Sequence, residues 1–239
     1  MKRYRYIFAA AAAVIVSVIA AVVLLHHGGD VSVEPDRKMF PIKGIDISAH
    51  NGVIDFEKVA ADSVDFVYIK ATEGMDFCDS RFAENIAKAR KAGLKVGPYH
   101  FFRFNTSGAE QARHMLVTVG DIDTDLPWAI DVESWGNDRD YDRSDVIRQL
   151  RGMITVLRDE GKQVIIYTNK NGYGHFVAPG FGDVPLWLCA KQQVRPGQRW
   201  EFWQYSHTGR VDGIDGDVDL NVYRSDSTEW AKFLSRQRR

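Results

Sequence analysis

The stretch Pro127-Trp128-Ala129-Ile130-Asp131-Val132-Glu133 sets the reading of this chain. An apolar run this short reads as a buried strand rather than a helix. Side chains alternate along a strand, so Asp131 and Glu133 project from one face with backbones about 6.7 Å apart. Charges inside an apolar strand are costly unless they are paired or used. Working outward, seven further runs share the same character: Gly44–Ser48, Phe66–Thr72, Lys95–Phe102, Gln163–Asn169, Leu186–Ala190, Phe202–Ser206 and Val218–Tyr223. Amphipathic patterns over Phe56–Ala61, Arg81–Ala92, Ser107–Val119 and Arg143–Glu160 predict helices between the earlier runs. Asp55 and Ser80 are the expected N-caps of the first two, and Gly93 and Gly161 stand just past the ends of the second and fourth. Alternating strands and helices imply an α/β fold with a parallel sheet covered by helices. Eight strands suggest a closed barrel, with loops or short turns after the fifth, where the helices thin out.

In a barrel of alternating strands and helices the active site lies at the C-terminal ends of the strands. Asp46 sits inside the first run and Asp219 inside the last, and a closed barrel brings first and last together. Asp46, Asp131, Glu133 and Asp219 are therefore expected to converge. Two carboxyls held close cannot both ionise comfortably, so one keeps its proton near neutral pH and can protonate a leaving oxygen. The other then stabilises positive charge in an oxocarbenium-like transition state, or activates water or a substrate group. This is the chemistry of acid-assisted glycoside cleavage. His50 and His100 lie near the right strands but share no position with the carboxyls, so no metal and no cofactor is expected. Tyr99, Tyr167 and Trp187, with Phe101 a weaker candidate, could line a groove and stack on sugar faces. Gln204, polar within Phe202-Trp203-Gln204-Tyr205, is a hydrogen-bonding candidate for the substrate. Glu73 orients the site or holds its loop, and Lys191, Arg195 and Arg199 read as a solvated face.

The chain has 239 residues, 45% of them apolar and 26% charged, which excludes extended disorder. Its 31 basic and 32 acidic side chains nearly cancel, which argues against nucleic acid as a partner. Six Trp suit a carbohydrate site and a core equally well. Cys78 and Cys189 cannot build a disulfide framework or a zinc site by themselves, though a single bridge between them stays open. At the N-terminus, Lys2, Arg3 and Arg5 precede an uncharged, mostly apolar run over residues 6–25, about 30 Å as a helix. Residues 1–30 read as a signal anchor with a membrane-spanning helix, leaving the rest of the chain outside the cytoplasm. A cleaved signal followed by secretion is the alternative, but the run ends Val22-Val23-Leu24-Leu25-His26-His27, with no small-residue cleavage site. Residues 31–41 read as a tether, 42–234 as the barrel and 235–239 as a frayed basic tail, and the protein is expected to be a monomer.

Six segments in order are similar to one known family. They are Gly44-Ile45-Asp46-Ile47-Ser48-Ala49-His50-Asn51-Gly52, Ile69-Lys70-Ala71-Thr72-Glu73-Gly74, Gly97-Pro98-Tyr99-His100-Phe101-Phe102, Ile130-Asp131-Val132-Glu133, Phe202-Trp203-Gln204-Tyr205 and Val218-Asp219-Leu220-Asn221. The chain resembles glycoside hydrolase family 25, the Chalaropsis-type lysozymes (N-acetylmuramidases), over roughly residues 42–234. The resemblance implies a (β/α)₅(β)₃ barrel that hydrolyses the β-1,4 bond between N-acetylmuramic acid and N-acetylglucosamine in peptidoglycan, within a bacterial envelope. It gives Glu133 the role of general acid and Asp131 that of the assisting carboxylate, which orients the substrate's own N-acetyl group. Asp46 and Asp219 match the two further acidic residues of the family's site. Asn51 stands where members often carry Gln. Two other readings stay open: a catalytically silent peptidoglycan-binding module and an endo-acting hydrolase of chitin-like chains.

Overall fold

The computed structural model describes residues 33–194 and 199–237. All eight apolar runs form strands: β1 (Lys43–Ile47), β2 (Phe66–Glu73), β4 (Lys95–Phe101), β5 (Trp128–Asp131), β6 (Val164–Asn169), β7 (Leu186–Cys189), β8 (Phe202–Gly209) and β9 (Val218–Tyr223). A two-residue strand that the sequence did not announce, β3 (Phe77–Cys78), folds back on the end of β2. The expected helices are present as α1 (Phe56–Ala61), α2 (Phe82–Lys91), α3 (Gly108–Val119) and α4 (Arg143–Asp159). Beyond β6 come the short turns Lys170–Gly172 and Tyr173–Val177, and the described chain ends in α5 (Ser227–Gln237). Strands pair in the order β1-β9-β8-β7-β6-β5-β4-β2, and β1 also pairs with β2, closing an α/β barrel.

A wholly parallel sheet, as the alternation implies, is corrected at β9, which runs antiparallel to both β8 and β1. Residues 210–217 alone connect β8 to β9. That is shorter than the dozen or so residues a parallel crossover takes.

Within the barrel, inward positions change along each strand from apolar at the base to polar at the mouth. On β6, Ile165 and Tyr167 precede Asn169; on β7, Trp187 precedes Cys189. The interior is packed with rings: Tyr68 stacks on Trp187 at 4.5 Å between centroids and meets Phe202 edge-on. At the base, Trp230 and Phe233 of α5 pack against Phe66, Phe202 and Tyr223 and close the barrel from below. The opposite faces of the strands meet α1 to α4 in a separate, largely aliphatic layer.

Several sequence expectations change here. Residues 235–237, assigned to a frayed tail, belong to α5, whose apolar Trp230 and Phe233 lie three residues apart and hold it to the barrel. Residues 33–41, assigned to the tether, are packed: the Val33 N–H donates to Lys191 O (3.0 Å), and Phe40 is buried against Trp200 and Trp203. Asp55 caps α1 as expected by accepting from the Lys58 N–H. Ser80 does not cap α2; Asp79 Oδ1 instead accepts from the Arg81 N–H (2.9 Å). Gly93 and Gly161 end α2 and α4 at positive φ, 87° and 73°. Cys78 and Cys189 are both free thiols. The anchor expected over residues 6–25 lies outside the described residues, among which no helix is long and apolar enough to cross a membrane.

Helices α3 and α4 approach at Gly108, whose N–H donates to Gln149 Oε1 (2.9 Å). A Cβ at position 108 would sit 1.8 Å from Gln149 O, whereas one at Gly152 of α4 finds its nearest neighbour at 3.9 Å. Gly108→Ala should therefore destabilise by about 2–3 kcal/mol. Gly152→Ala should stabilise by about 0.5–1 kcal/mol through helix propensity. Thermal unfolding followed by circular dichroism should show Tm shifts of opposite sign, and an unchanged Tm for Gly108→Ala would contradict the close α3–α4 contact.

Candidate active site

The strands' C-terminal ends surround a cavity of about 900 Å³, and Asp46, Asp131, Glu133 and Asp219 all line it. The four carboxyls expected to converge do so, from β1, from β5 and the residue two beyond its end, and from β9. Tyr99, Phe101, Tyr167 and Trp187 also line the cavity, as expected for groove residues.

The antiparallel seam sets Asp46 directly opposite Asp219. Asp46 Oδ2 accepts from Asn221 Nδ2 (2.7 Å) and from Gln204 Nε2 (2.8 Å), and Gln204 Nε2 also lies 3.2 Å from Asp219 Oδ2. Tyr167 donates to Gln204 Oε1 (2.7 Å) and Trp187 Nε1 donates to Asn221 Oδ1 (2.8 Å), which fixes how both amides face. Burial, then the neighbouring Asp219 charge, push Asp46 well above the usual carboxyl range, against the two amide bonds. Gln204, expected at the substrate, is 1% exposed and is not part of the cavity lining; it holds two carboxyls from beneath.

Asp131 is 9% exposed at the end of β5. Burial raises it well above its usual range, and the charges of Glu133 and Asp46 add to this while Lys70 opposes it. Among the described residues, no donor reaches its buried Oδ1. Glu133 is half-buried, and its Oε2 accepts from Asn169 Nδ2 (3.0 Å). Burial raises Glu133 too, against the Asn169 bond and the His207 charge, with Asp219 pushing it further up. A carboxyl in this setting holds its proton toward neutral pH and can deliver it.

Several functional groups escaped the sequence reading. His207 lines the cavity, its Nδ1 3.2 Å from Asp219 Oδ1 and its Nε2 3.4 Å from Cys189 Sγ. Its bond to Asp219, then its contact with Cys189, raise it to about 10, so the ring is charged at neutral pH. It points inward because β8 slips by one residue between Gln204 and Ser206, which reverses the strand's inside–outside phase. A similar irregularity between Lys70 and Thr72 of β2 lets Lys70 and Glu73, three residues apart, both line the cavity. Glu73 bonds Lys70 Nζ (2.6 Å) and pairs with Arg103, so it organises a cationic wall. Burial pushes Glu73 upward, but those two partners outweigh it and hold the carboxyl below its usual range. Trp135, also in the lining, is 78% exposed.

The remaining candidates separate cleanly. His100 is buried between Thr72 Oγ1 (2.8 Å) and Gln111 Oε1 (3.0 Å), and burial lowers it to about 4, so it is neutral and structural. His50 lines the cavity. Among the described residues, no group of three or more His, Cys, Asp or Glu is arranged to hold a metal ion. Asn51 Oδ1 accepts from the Ser48 N–H (2.9 Å), and its amide donates to Asp217 O (3.3 Å). Lys191 lines the cavity, Arg199 donates to Gly182 O, and Arg195 lies outside the described residues.

A barrel with acidic groups at its mouth, one partly buried and proton-holding, is the architecture of a glycoside hydrolase. The sequence profile described as Glycosyl hydrolases family 25 matches residues 45–214, and the chain belongs to that family. It is 36% identical over 203 residues to the uncharacterized protein YegX of Escherichia coli K12, covering 82% of this chain and 74% of that one. The autolytic lysozyme of Clostridium acetobutylicum is 36% identical over 185 residues, 76% of this chain and 56% of that protein. A solved family 25 glycosyl hydrolase from Bacillus anthracis superposes with a TM-score of 0.76 at 31% identity, covering 84% of this chain and 96% of that structure.

A carboxyl whose folded pKa lies above its unfolded value binds more protons when folded, so stability falls as pH rises above about 4. Burial, with the Glu133 and Asp46 charges, raises Asp131 well above its usual range, so it carries that loss as pH rises. Asp131→Asn removes the ionisation, and its Tm at pH 7 should exceed that of the parent by at least about 2 °C, with the gap closing toward pH 4. A lower Tm at pH 7 would contradict a strained, buried Asp131.

Proposed function

We propose that this protein is a muramidase that hydrolyses the β-1,4 bond between N-acetylmuramic acid and N-acetylglucosamine in peptidoglycan, with Glu133 as its acid. Family membership, and relatives named as lysozymes, support the substrate class. The observation that carries the catalytic assignment is the pairing of Asp131 and Glu133, both raised by burial, in a cavity large enough for sugar rings. Glu133 donates its proton to the glycosidic oxygen as the bond breaks. Asp131 Oδ1 lies within a buried site without a donor among the described residues, and an acetamido N–H is a donor of the right kind. A bond there aligns the N-acetyl carbonyl oxygen for attack on the anomeric carbon and steadies the developing cation. Asp46 and Asp219, held by Gln204 and Asn221, shape the floor. Tyr99, Tyr167 and Trp187 line the cavity, which supports contact with a sugar ring.

The full-length protein should release muropeptides with muramic acid at the new reducing end, identified by mass spectrometry. Glu133→Gln should lower turnover by about 10²–10⁴-fold, since the amide has no proton to give, while the fold is retained. Products ending in N-acetylglucosamine, cleavage of chitin oligomers in preference to peptidoglycan, or wall binding without turnover would each replace this reading.

We further propose that residues 6–25 anchor the protein in a cell membrane with the barrel outside the cytoplasm. The support is the basic Lys2-Arg3-Tyr4-Arg5 cluster ahead of an uncharged apolar run. Residues 26–32 separate the run from Val33, whose N–H bonds Lys191 O, and seven residues reach at most about 25 Å even if fully extended. Such a link confines hydrolysis to glycan strands close to the membrane. Full-length protein should stay with membranes through high-salt and carbonate washes. Recovery of a soluble form shortened by about 25–30 residues would show signal cleavage and secretion instead.

A further inference from the structure

One side chain in the cavity, Cys189, has no part in glycoside cleavage as described. Cys189 Sγ, at the end of β7, is 3.4 Å from His207 Nε2, and His207 Nδ1 is 3.2 Å from Asp219 Oδ1. All three line the cavity, and Cys189 is partly exposed within it. We infer that Cys189 is a nucleophilic thiol that small hydroperoxides oxidise, and that its oxidation stops glycan turnover.

The geometry supports each step. Asp219 accepts from the Nδ1–H of His207, which turns Nε2 toward the sulfur. A thiol, an imidazole and a carboxylate in that order form the arrangement that activates a nucleophile. The charged state favoured at His207, raised to about 10, is the state it reaches on taking the thiol proton. The thiolate then attacks one oxygen of the peroxide. An S–O bond forms and the O–O bond breaks, the sulfur being oxidised by two electrons and the peroxide reduced. The hydroxide that leaves takes the proton held on His207 and departs as water, leaving a sulfenic acid. Position explains the loss of turnover. Cys189 pairs in register with Asn169 of β6, the residue whose amide donates to Glu133. An added oxygen at Cys189 therefore intrudes beside the proton donor, at the same wall as Trp187.

Cys78 provides a control within the same molecule. Its Sγ lies 3.7 Å from His114 Nε2, but that nitrogen is also 3.0 Å from Phe77 O. A nitrogen that donates to a carbonyl cannot accept the proton of a thiol. Cys78 is thus exposed beside a histidine without being activated by it.

The test treats full-length protein with limiting hydrogen peroxide in the presence of dimedone, and maps sulfenic acid by peptide mass spectrometry. Cys189 should label at least about tenfold faster than Cys78 in the unaltered protein, a comparison that needs neither a variant nor muramidase activity. In His207→Gln, labelling of Cys189 should fall to the level of Cys78. Peroxide should remove most of the turnover of the parent and of Cys78→Ser, each measured against its own untreated sample, and leave that of Cys189→Ser at its untreated value. Equal labelling of the two cysteines, labelling of Cys189 that is indifferent to His207→Gln, or oxidised Cys189 with full turnover would overturn the inference.

Discussion

The site depends on a repulsive contact that has been made tolerable. Asp46 and Asp219 face each other across the β1–β9 seam, the junction that closes the barrel. Like charges directly opposite in an antiparallel pair destabilise it. Here the amides of Gln204 and Asn221 supply donors at once, and burial with the Asp219 charge favours a protonated Asp46. Those amides are in turn aimed by Tyr167 and Trp187, rings that also belong to the packed interior. The closing seam, the cavity floor and the catalytic carboxyls are therefore one hydrogen-bonded unit. A change at Gln204 would be felt by Asp46 and Asp219 without touching substrate.

Above this floor the cavity is electrically divided. Lys70 and Arg103 gather on Glu73 on one side, while His207 sits against Asp219 on the other. Glu133 lies between opposing influences: burial and Asp219 favour its proton, and Asn169 and His207 favour its loss. An acid balanced in this way can both give up a proton and regain it, which a fully buried carboxyl with no opposing partner does less readily. The same desolvation that tunes the carboxyls costs folding stability, a familiar tension where buried charge serves chemistry.

Much of this was legible because period-two patterning and buried strands leave strong marks. All eight barrel strands and four helices follow from apolar runs and their punctuation, and the acidic residues stand out because charge within an apolar strand has to be explained. The losses have physical causes. Strand β9 has the same apolar character as its parallel neighbours, so its direction is carried by the short loop before it, not by its own residues. His207 follows Ser206 in a polar stretch, and only the slip in β8 turns it inward. Lys70 and Glu73 fall out of alternation for the same reason in β2. Gln204 was correctly singled out as a hydrogen-bonding group, but alternation says which face a residue takes, not how deep it lies. Phe40 shows the converse: a ring in a polar stretch packs against Trp200 and Trp203 where the pattern reads as tether.

Helix α5 has a consequence for when the molecule can fold. Its Trp230 and Phe233 complete the ring cluster at the barrel's base, and the hydrogen bond from Asn221 to Asp46 spans 175 positions of sequence. Neither contact can form before β9 and α5 have been made. During that interval β1 lacks one of its two neighbours, and the aromatic interior is open at the bottom. Long-range closure of this kind is slow compared with local helix formation. The barrel thus lacks its closing contacts until both β9 and α5 are available.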